Sequence, residues 1–125
     1  MAEAAARQYT VHGRSTETFG RVLLSSRDQH LVADGPVSNG CPGEAIGPAE
    51  LFLSGVAACG VELLQVLARD QDVPLRSVSA TIQGTMAAER IRPDVAVFGS
   101  VRLDFRVSGV SDAQAQDLVE RFKRR

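Results

Sequence analysis

The residue of this 125-residue sequence with the strongest claim to covalent chemistry is Cys59, set in the run Leu-Ser-Gly-Val-Ala-Ala-Cys59-Gly. As a thiolate, a cysteine is a nucleophile that oxidation can take to a sulfenic acid. As a thiol inside an apolar helix it is equally a packing residue, and composition alone favours that second reading. The only other cysteine, Cys41, lies in the glycine-rich stretch Asn39-Gly-Cys41-Pro-Gly43. The two histidines, His12 and His30, fall on separate predicted strands, where such residues usually serve only as hydrogen-bonded surface or core groups. No phosphate-binding loop, dinucleotide fingerprint, nucleophile-elbow serine or zinc-spaced Cys/His cluster occurs, so neither a metal nor another cofactor is expected.

Fourteen Lys and Arg against fifteen Asp and Glu leave the charge balanced. That argues against a nucleic-acid partner, which would require an excess of cations to neutralise phosphates. The basic end Arg121, Lys123, Arg124, Arg125 reads as the solvated side of a helix. Met1 to Gln8 is Ala-rich but acidic, with too short an apolar run for a secretory signal. No run approaches the roughly 18 consecutive apolar residues of a membrane span. A cytoplasmic protein without membrane contact is expected, and in a reducing compartment its two cysteines are expected as thiols rather than as a structural disulfide. The length suits a single domain over residues 1–125. A domain of this size buries only about two-thirds of its unfolded surface, so a second copy would extend its core.

The elements that must position these groups are legible as hydrophobic periodicity. Gln8 to Asp34 is rich in Thr, Val and Leu and broken by Gly13, Gly20 and Asp28. This predicts a meander of short strands centred on Tyr9–Val11, Arg21–Leu24 and His30–Ala33. Gly35 to Gly47 contains four Gly and two Pro and reads as a loop. A helix is predicted from Pro48 to about Arg69, with Pro at its first position and Glu50 in its first turn. Its apolar residues, among them Leu51, Phe52, Leu53, Val56, Val61, Leu63, Leu64 and Leu67, surround the axis, as in a buried helix. Covering it would take a sheet on one side and something else, such as a second subunit, on the other. Period-two patterns at Val78, Ala80, Ile82, Met86 and at Val101, Leu103, Phe105, Val107 predict two half-buried strands, joined as a hairpin by the polar link Ala88 to Asp94. Ser111 and Gln114 stand in capping-box spacing before the stripe Ala115, Leu118, Val119, Phe122, an amphipathic helix expected still to be running at Arg125.

The run Gly47-Pro-Ala-Glu-Leu-Phe-Leu-Ser-Gly-Val-Ala-Ala-Cys59 resembles the central-helix motif of OsmC/Ohr proteins. The upstream His30-Leu-Val-Ala-Asp34-Gly-Pro36, the Gly-rich loop after it and the order strands, helix, strand pair, helix are similar too. The resemblance runs from about Tyr9 to the end. It implies an α+β, OsmC-like fold, with antiparallel sheets packed on a buried central helix plus a C-terminal helix, in an intertwined homodimer with active sites at the subunit interface. It also implies thiol-dependent reduction of organic hydroperoxides or hydrogen peroxide, with an external thiol or dithiol as reductant. A fold relative that binds a small apolar ligand at its interface without turnover is the alternative, and an inert core cysteine a third.

By the same resemblance Cys59 is the peroxidatic thiol, Glu50 a catalytic carboxylate, and an Arg from the N-terminal strands the cation that favours the thiolate. Arg21, in a Gly-Arg pair, is the first candidate, ahead of Arg14 and Arg27. The helix dipole cannot take that role, because it fades within one turn and Cys59 lies three turns in. In the best-characterised peroxidase branch the Glu directly follows the Pro, where this chain has Ala49. Nine residues separate Glu50 from Cys59, which puts them on opposite sides of an ideal helix, and Glu50 serves equally as a first-turn dipole partner. Glu62, one turn from Cys59, either pairs with an Arg or marks a wetter side of the helix. The resolving cysteine that relatives carry near the last helix is missing, so the sequence reads as shortened there. Cys41 is the substitute candidate, although an exposed loop cysteine is more often a bystander.

Overall fold

The computed structural model describes residues 5–87 and 97–125. The predicted link Ala88 to Asp94 lies outside the described residues. The chain groups into two compact units, Met1–Leu51 and Phe52–Arg125.

In the first unit three strands form an antiparallel meander in the order β1 (His12–Ser15), β2 (Arg21–Ser26), β3 (Gln29–Asp34). The second and third match the predicted centres. The first begins only after the expected centre Tyr9–Val11 has ended, because the hairpin register pairs His12 with Ser25 and Ser15 with Val22. Tyr9 to Val11 precede that ladder. The register of β2 on β3 pairs Ser26 with Gln29, so Arg27 and Asp28 make a two-residue turn with Arg27 at φ 54°. Within the Gly35–Gly47 loop one turn of 3-10 helix forms at Val37–Asn39, closed by Gly40 at φ 77°.

The long helix α1 spans Pro48–Asp70. Its first turn closes as the sequence predicts: Leu51 N–H donates to the Gly47 carbonyl, and Glu50 Oε1 accepts from Gly47 N–H at 2.9 Å.

In the second unit β4 (Ser77–Met86) pairs with β5 (Phe98–Ser108) along its whole length, with an irregularity at Thr85/Met86. α2 covers Asp112–Phe122 and opens on the predicted capping box: Ser111 Oγ accepts from Gln114 N–H at 3.1 Å, and Ser111 N–H donates to Gln114 Oε1 at 3.0 Å. Contrary to expectation the α-helix stops at Phe122, where the next N–H groups shift to tighter bonds such as Arg124 to the Arg121 carbonyl.

The core of this unit is Leu64, Leu67, Ala68 and Leu118, flanked by Val78, Phe105, Val107 and Phe122. Gly60 lets α1 approach the strands: a Cβ there would come within 2.7 Å of the Phe105 ring, which in turn stands edge-on to Phe122.

Two expectations are corrected here. α1 is not buried all round; only Gly60, Leu64, Leu67 and Ala68 are, while Phe52 is 64% exposed. Those four recur at i, i+4, i+7 and i+8, one stripe of a helix, and that stripe is the surface against the core. Counting unbroken apolar runs also underestimated α1, which is long and apolar enough by length and composition to cross a membrane. Ser54, Glu62 and Gln65 interrupt the run without lowering the average much. Its buried stripe is used for packing against β5 and α2, as in the core helix of a globular unit.

Leu64 is completely buried at the centre of that stripe. Leu64→Ala should cost about 2–5 kcal/mol in a denaturant titration, from lost burial plus the cavity left behind. A loss below about 1 kcal/mol would remove Leu64 from the centre of the core.

Candidate functional site

Because the core stripe of α1 runs through Gly60, Leu64 and Leu67, the residues at Phe52, Val56, Cys59 and Leu63 face away from it. They open on a groove of about 560 Å³, whose other wall is the end of α2: Phe122, Lys123 and Arg125. Cys59 is exposed, whereas the sequence leads to a central helix buried all round. The buried stripe starts at the very next residue, Gly60, about 100° further round the helix. Glu62 is exposed as well, so α1 does have a wetter side and the second of the two readings of this residue holds.

Within this unit the cations sharing Cys59's groove are Lys123 and Arg125. Sequence reasoning had placed both on a solvated face. For Arg121 and Lys123 that reading is supported, since they pair with Asp117 at 2.9 Å and Glu120 at 3.0 Å. Nothing in the local pattern indicated that the helix end would also border the thiol.

In the first unit the polar centre is Arg21 with Asp34, at opposite ends of β2 and β3 but paired in register. Arg21 Nε and Nη2 donate to the two oxygens of Asp34 at 2.8 and 2.9 Å, a bidentate pair. Asp34 is only 1% exposed, and its Oδ2 also accepts from the backbone N–H of Glu44 at 3.0 Å and of Ala45 at 2.8 Å. The exposed Glu44 carboxylate lies 3.6 Å from Arg21 Nη2. The Arg21 hydrogen bonds hold the Asp34 carboxyl far below the usual carboxylate range; burial opposes this, and the two backbone donors reinforce it. Asp34 in turn raises the Arg21 guanidinium.

Asp34 lies within the stretch His30–Pro36, and nothing in the sequence alone marks it for a role. Its only local signal is an acid closing a strand ahead of Gly-Pro, and the donors that justify its burial come from residues 10 to 13 positions away.

Arg21 therefore sits in a strong ion pair, whereas Arg14 lies on β1 and Arg27 in the turn between β2 and β3. Glu50 is at the start of α1 as a helix-end acceptor. Cys41 departs from the expected exposed loop thiol. It is half-buried, and a Cβ at Gly20 or Gly35 would overlap its sulfur, so two glycines flanking Arg21 and Asp34 make room for it. Both histidines are exposed on their strands. Among the described residues no group of His, Cys, Asp and Glu could hold a metal ion.

Asp34 contributes stability while ionised. Its carboxyl is depressed in the folded chain, so that contribution is complete above about pH 5, where an unfolded Asp is also ionised, and fades as pH falls below about 4. Asp34→Asn is expected to lower the thermal midpoint at pH 7 by on the order of 10 °C and to flatten the acid limb of stability against pH. An acid limb identical to wild type would show that other carboxylates carry it.

The comparisons with known proteins agree on the fold. The structure superposes on the OsmC-like protein of Mycoplasma pneumoniae with a TM-score of 0.82 at 15% identity, covering 97% of this chain and 84% of that one. For the organic hydroperoxide resistance protein OsmC of Legionella pneumophila the values are 0.76 and 24%, covering 97% and 85%. For an organic hydroperoxide resistance protein of Elizabethkingia anophelis they are 0.77 and 17%, covering 98% and 85%. At such identities the likeness concerns the fold. No curated protein matches the chain. The sequence does match the family model for OsmC-like proteins over residues 41–125, the stretch that contains α1, Cys59 and the whole second unit, and on that ground the chain belongs to the OsmC-like protein family.

Proposed function

We propose that this chain is a cysteine-based peroxidase that reduces organic hydroperoxides or hydrogen peroxide. The observation that carries the reading is an exposed thiol, Cys59, opening on an apolar groove in a chain of the OsmC-like family. Solved relatives in fold that are named for organic hydroperoxide resistance support it.

In this reading the Cys59 thiolate attacks the outer peroxide oxygen. An S–O bond forms, the O–O bond breaks, and the leaving alkoxide takes a proton to become an alcohol. The cysteine is oxidised to a sulfenic acid and the peroxide reduced by two electrons. An external thiol then condenses with the sulfenic acid, releasing water, and a second thiol exchange frees Cys59 and leaves a disulfide of the reductant. Cys41 is the intramolecular alternative as first resolver. Arg21 is assigned the positive charge that favours the thiolate, and Glu50 the accompanying carboxylate. The protein acts as a homodimer in the cytoplasm, without a cofactor, nucleic acid or membrane. The second reading, a dimer that holds an apolar ligand without turnover, is favoured by the apolar lining of the groove.

A peroxide-consumption assay with a dithiol reductant separates the two. Cys59→Ser should lose at least about a hundredfold in rate, as expected for removal of a nucleophile, and Arg21→Ala should lose less. After one equivalent of peroxide, mass spectrometry should find either a dimedone adduct on Cys59 or a Cys41–Cys59 disulfide, the latter making Cys41 the resolver. Peroxide consumption unchanged in Cys59→Ser, with neither species present, would leave only the binding reading.

The open face of α1, with Phe52 at 64% and Val56 at 37% exposure, motivates the homodimer. Sedimentation equilibrium at micromolar concentration should give twice the chain mass of 13.4 kDa. A monomer that retains the helix content of the folded chain would contradict it.

A further inference from the structure

The second unit has another cleft, at the end of α1 and the start of β4, that shares no residue with the groove beside Cys59. Its volume is about 180 Å³. Gln65 and Arg69 come to it from α1, Arg76 from the segment just ahead of β4, and Ser77 from β4 itself. All four side chains donate hydrogen bonds, and no carboxylate is among the lining residues. Arg76 makes no ion pair among the described residues. Its backbone is nevertheless held, because its N–H donates to the Ser108 carbonyl at 2.8 Å. Ser77 Oγ and Ser108 Oγ lie 2.6 Å apart, and with Ser108 as the donor the Ser77 proton is left for a ligand.

Three features oppose an anion there, and their sizes decide which anion the cleft suits. The C-terminal end of α1 carries a partial negative charge, but the carbonyls of Leu67, Ala68 and Arg69 already accept from the N–H groups of Gln71, Val73 and Asp72. Asp70 holds Arg69 at 3.2 Å in a pair exposed on both sides, which is weak in water and open to exchange. Asp72 follows in the turn after α1. Against these two acids a monoanion gains little. A doubly charged phosphate matches both guanidiniums, each of which can bind two of its oxygens. The cleft is also smaller than the roughly 300 Å³ at which pockets for whole organic ligands begin, so a phosphate group fits inside it while any carbon skeleton stays outside.

We infer that this cleft binds a doubly charged phosphate group, free or as the terminal group of a small phosphomonoester. Arg69 and Arg76 supply the charge and the forked donors, and Gln65 and Ser77 the neutral ones. Bound there, the group ties the end of the helix that carries Cys59 to the first residue of β4. The site does not depend on the peroxidase reading, since none of its residues lines the groove beside Cys59.

Heteronuclear NMR of the full chain, titrated at pH 7.5 and constant ionic strength, tests the site. The probes are inorganic phosphate, glycerol 3-phosphate and dimethyl phosphate. The first two should shift the amide signals of Ala68, Val73, Arg76 and Ser77, with a Kd on the order of 1 mM or below. Dimethyl phosphate, a monoanion of similar shape, should bind at least about tenfold more weakly. Tighter binding of the free ion names inorganic phosphate as the occupant, and tighter binding of glycerol 3-phosphate a small phosphomonoester. Arg69 and Arg76 are both exposed, so Arg69→Gln/Arg76→Gln should fold as wild type does while losing the shifts. Arg102→Gln, which removes another exposed arginine of the same unit, should keep them. Equal binding of the monoanion, shifts spread over the whole surface, or shifts that survive in the double variant overturn the inference.

Discussion

The apolar circumference of α1 exceeds what the second unit covers. Twenty-three residues of helix carry large side chains on every side, yet only the stripe through Gly60, Leu64, Leu67 and Ala68 meets the core. Burial of that stripe determines which side is left over. Since 3.6 residues make a turn, Phe52, Val56, Cys59 and Leu63 are carried to the uncovered side together. The accessible thiol and its apolar surroundings are therefore one consequence of how the helix packs. The absence of a side chain at Gly60 is part of the same constraint, because the Phe105 ring occupies the space where a Cβ would stand.

The first unit depends on a different kind of interaction. Its short meander has few buried apolar residues, Ala33 among them, and its buried polar residue is Asp34. Four oxygen contacts from Arg21, Glu44 and Ala45 make that burial tolerable, tying the end of β3 to the start of β2 and to the loop ahead of α1. This bears on the role assigned to Arg21. A guanidinium whose charge is largely matched by a buried carboxylate projects a weaker field than an unpaired one, so any help it lends a thiolate is tempered by Asp34. The pair also explains the setting of Cys41, whose sulfur fits against Gly20 and Gly35, the neighbours of Arg21 and Asp34.

Family membership and residue chemistry contribute different things. The likeness to solved OsmC-like structures accounts for the fold and the order of its elements. Lys123 and Arg125 stand at the edge of the groove, and a helix end that looks like an ordinary solvated face in sequence becomes one wall of it through its place beside α1.

What the sequence determined by itself is what a few neighbouring residues encode. The limits of α1 follow from Pro48 and Glu50 at its start, the paired strands from period-two alternation, and the start of α2 from Ser111 and Gln114, each a matter of local hydrogen bonding or repeat. The start of β1 was misplaced because a strand's limits are set by its partner's register, and Tyr9 to Val11 precede the ladder that β2 offers. The tertiary structure alone decided which side of α1 stays open, that Cys59 is exposed, that Asp34 is buried with four contacts, and that Lys123 and Arg125 border the thiol. All of these join residues from about ten to more than sixty positions apart, and no short-range pattern reports a contact that exists only once separate elements have packed.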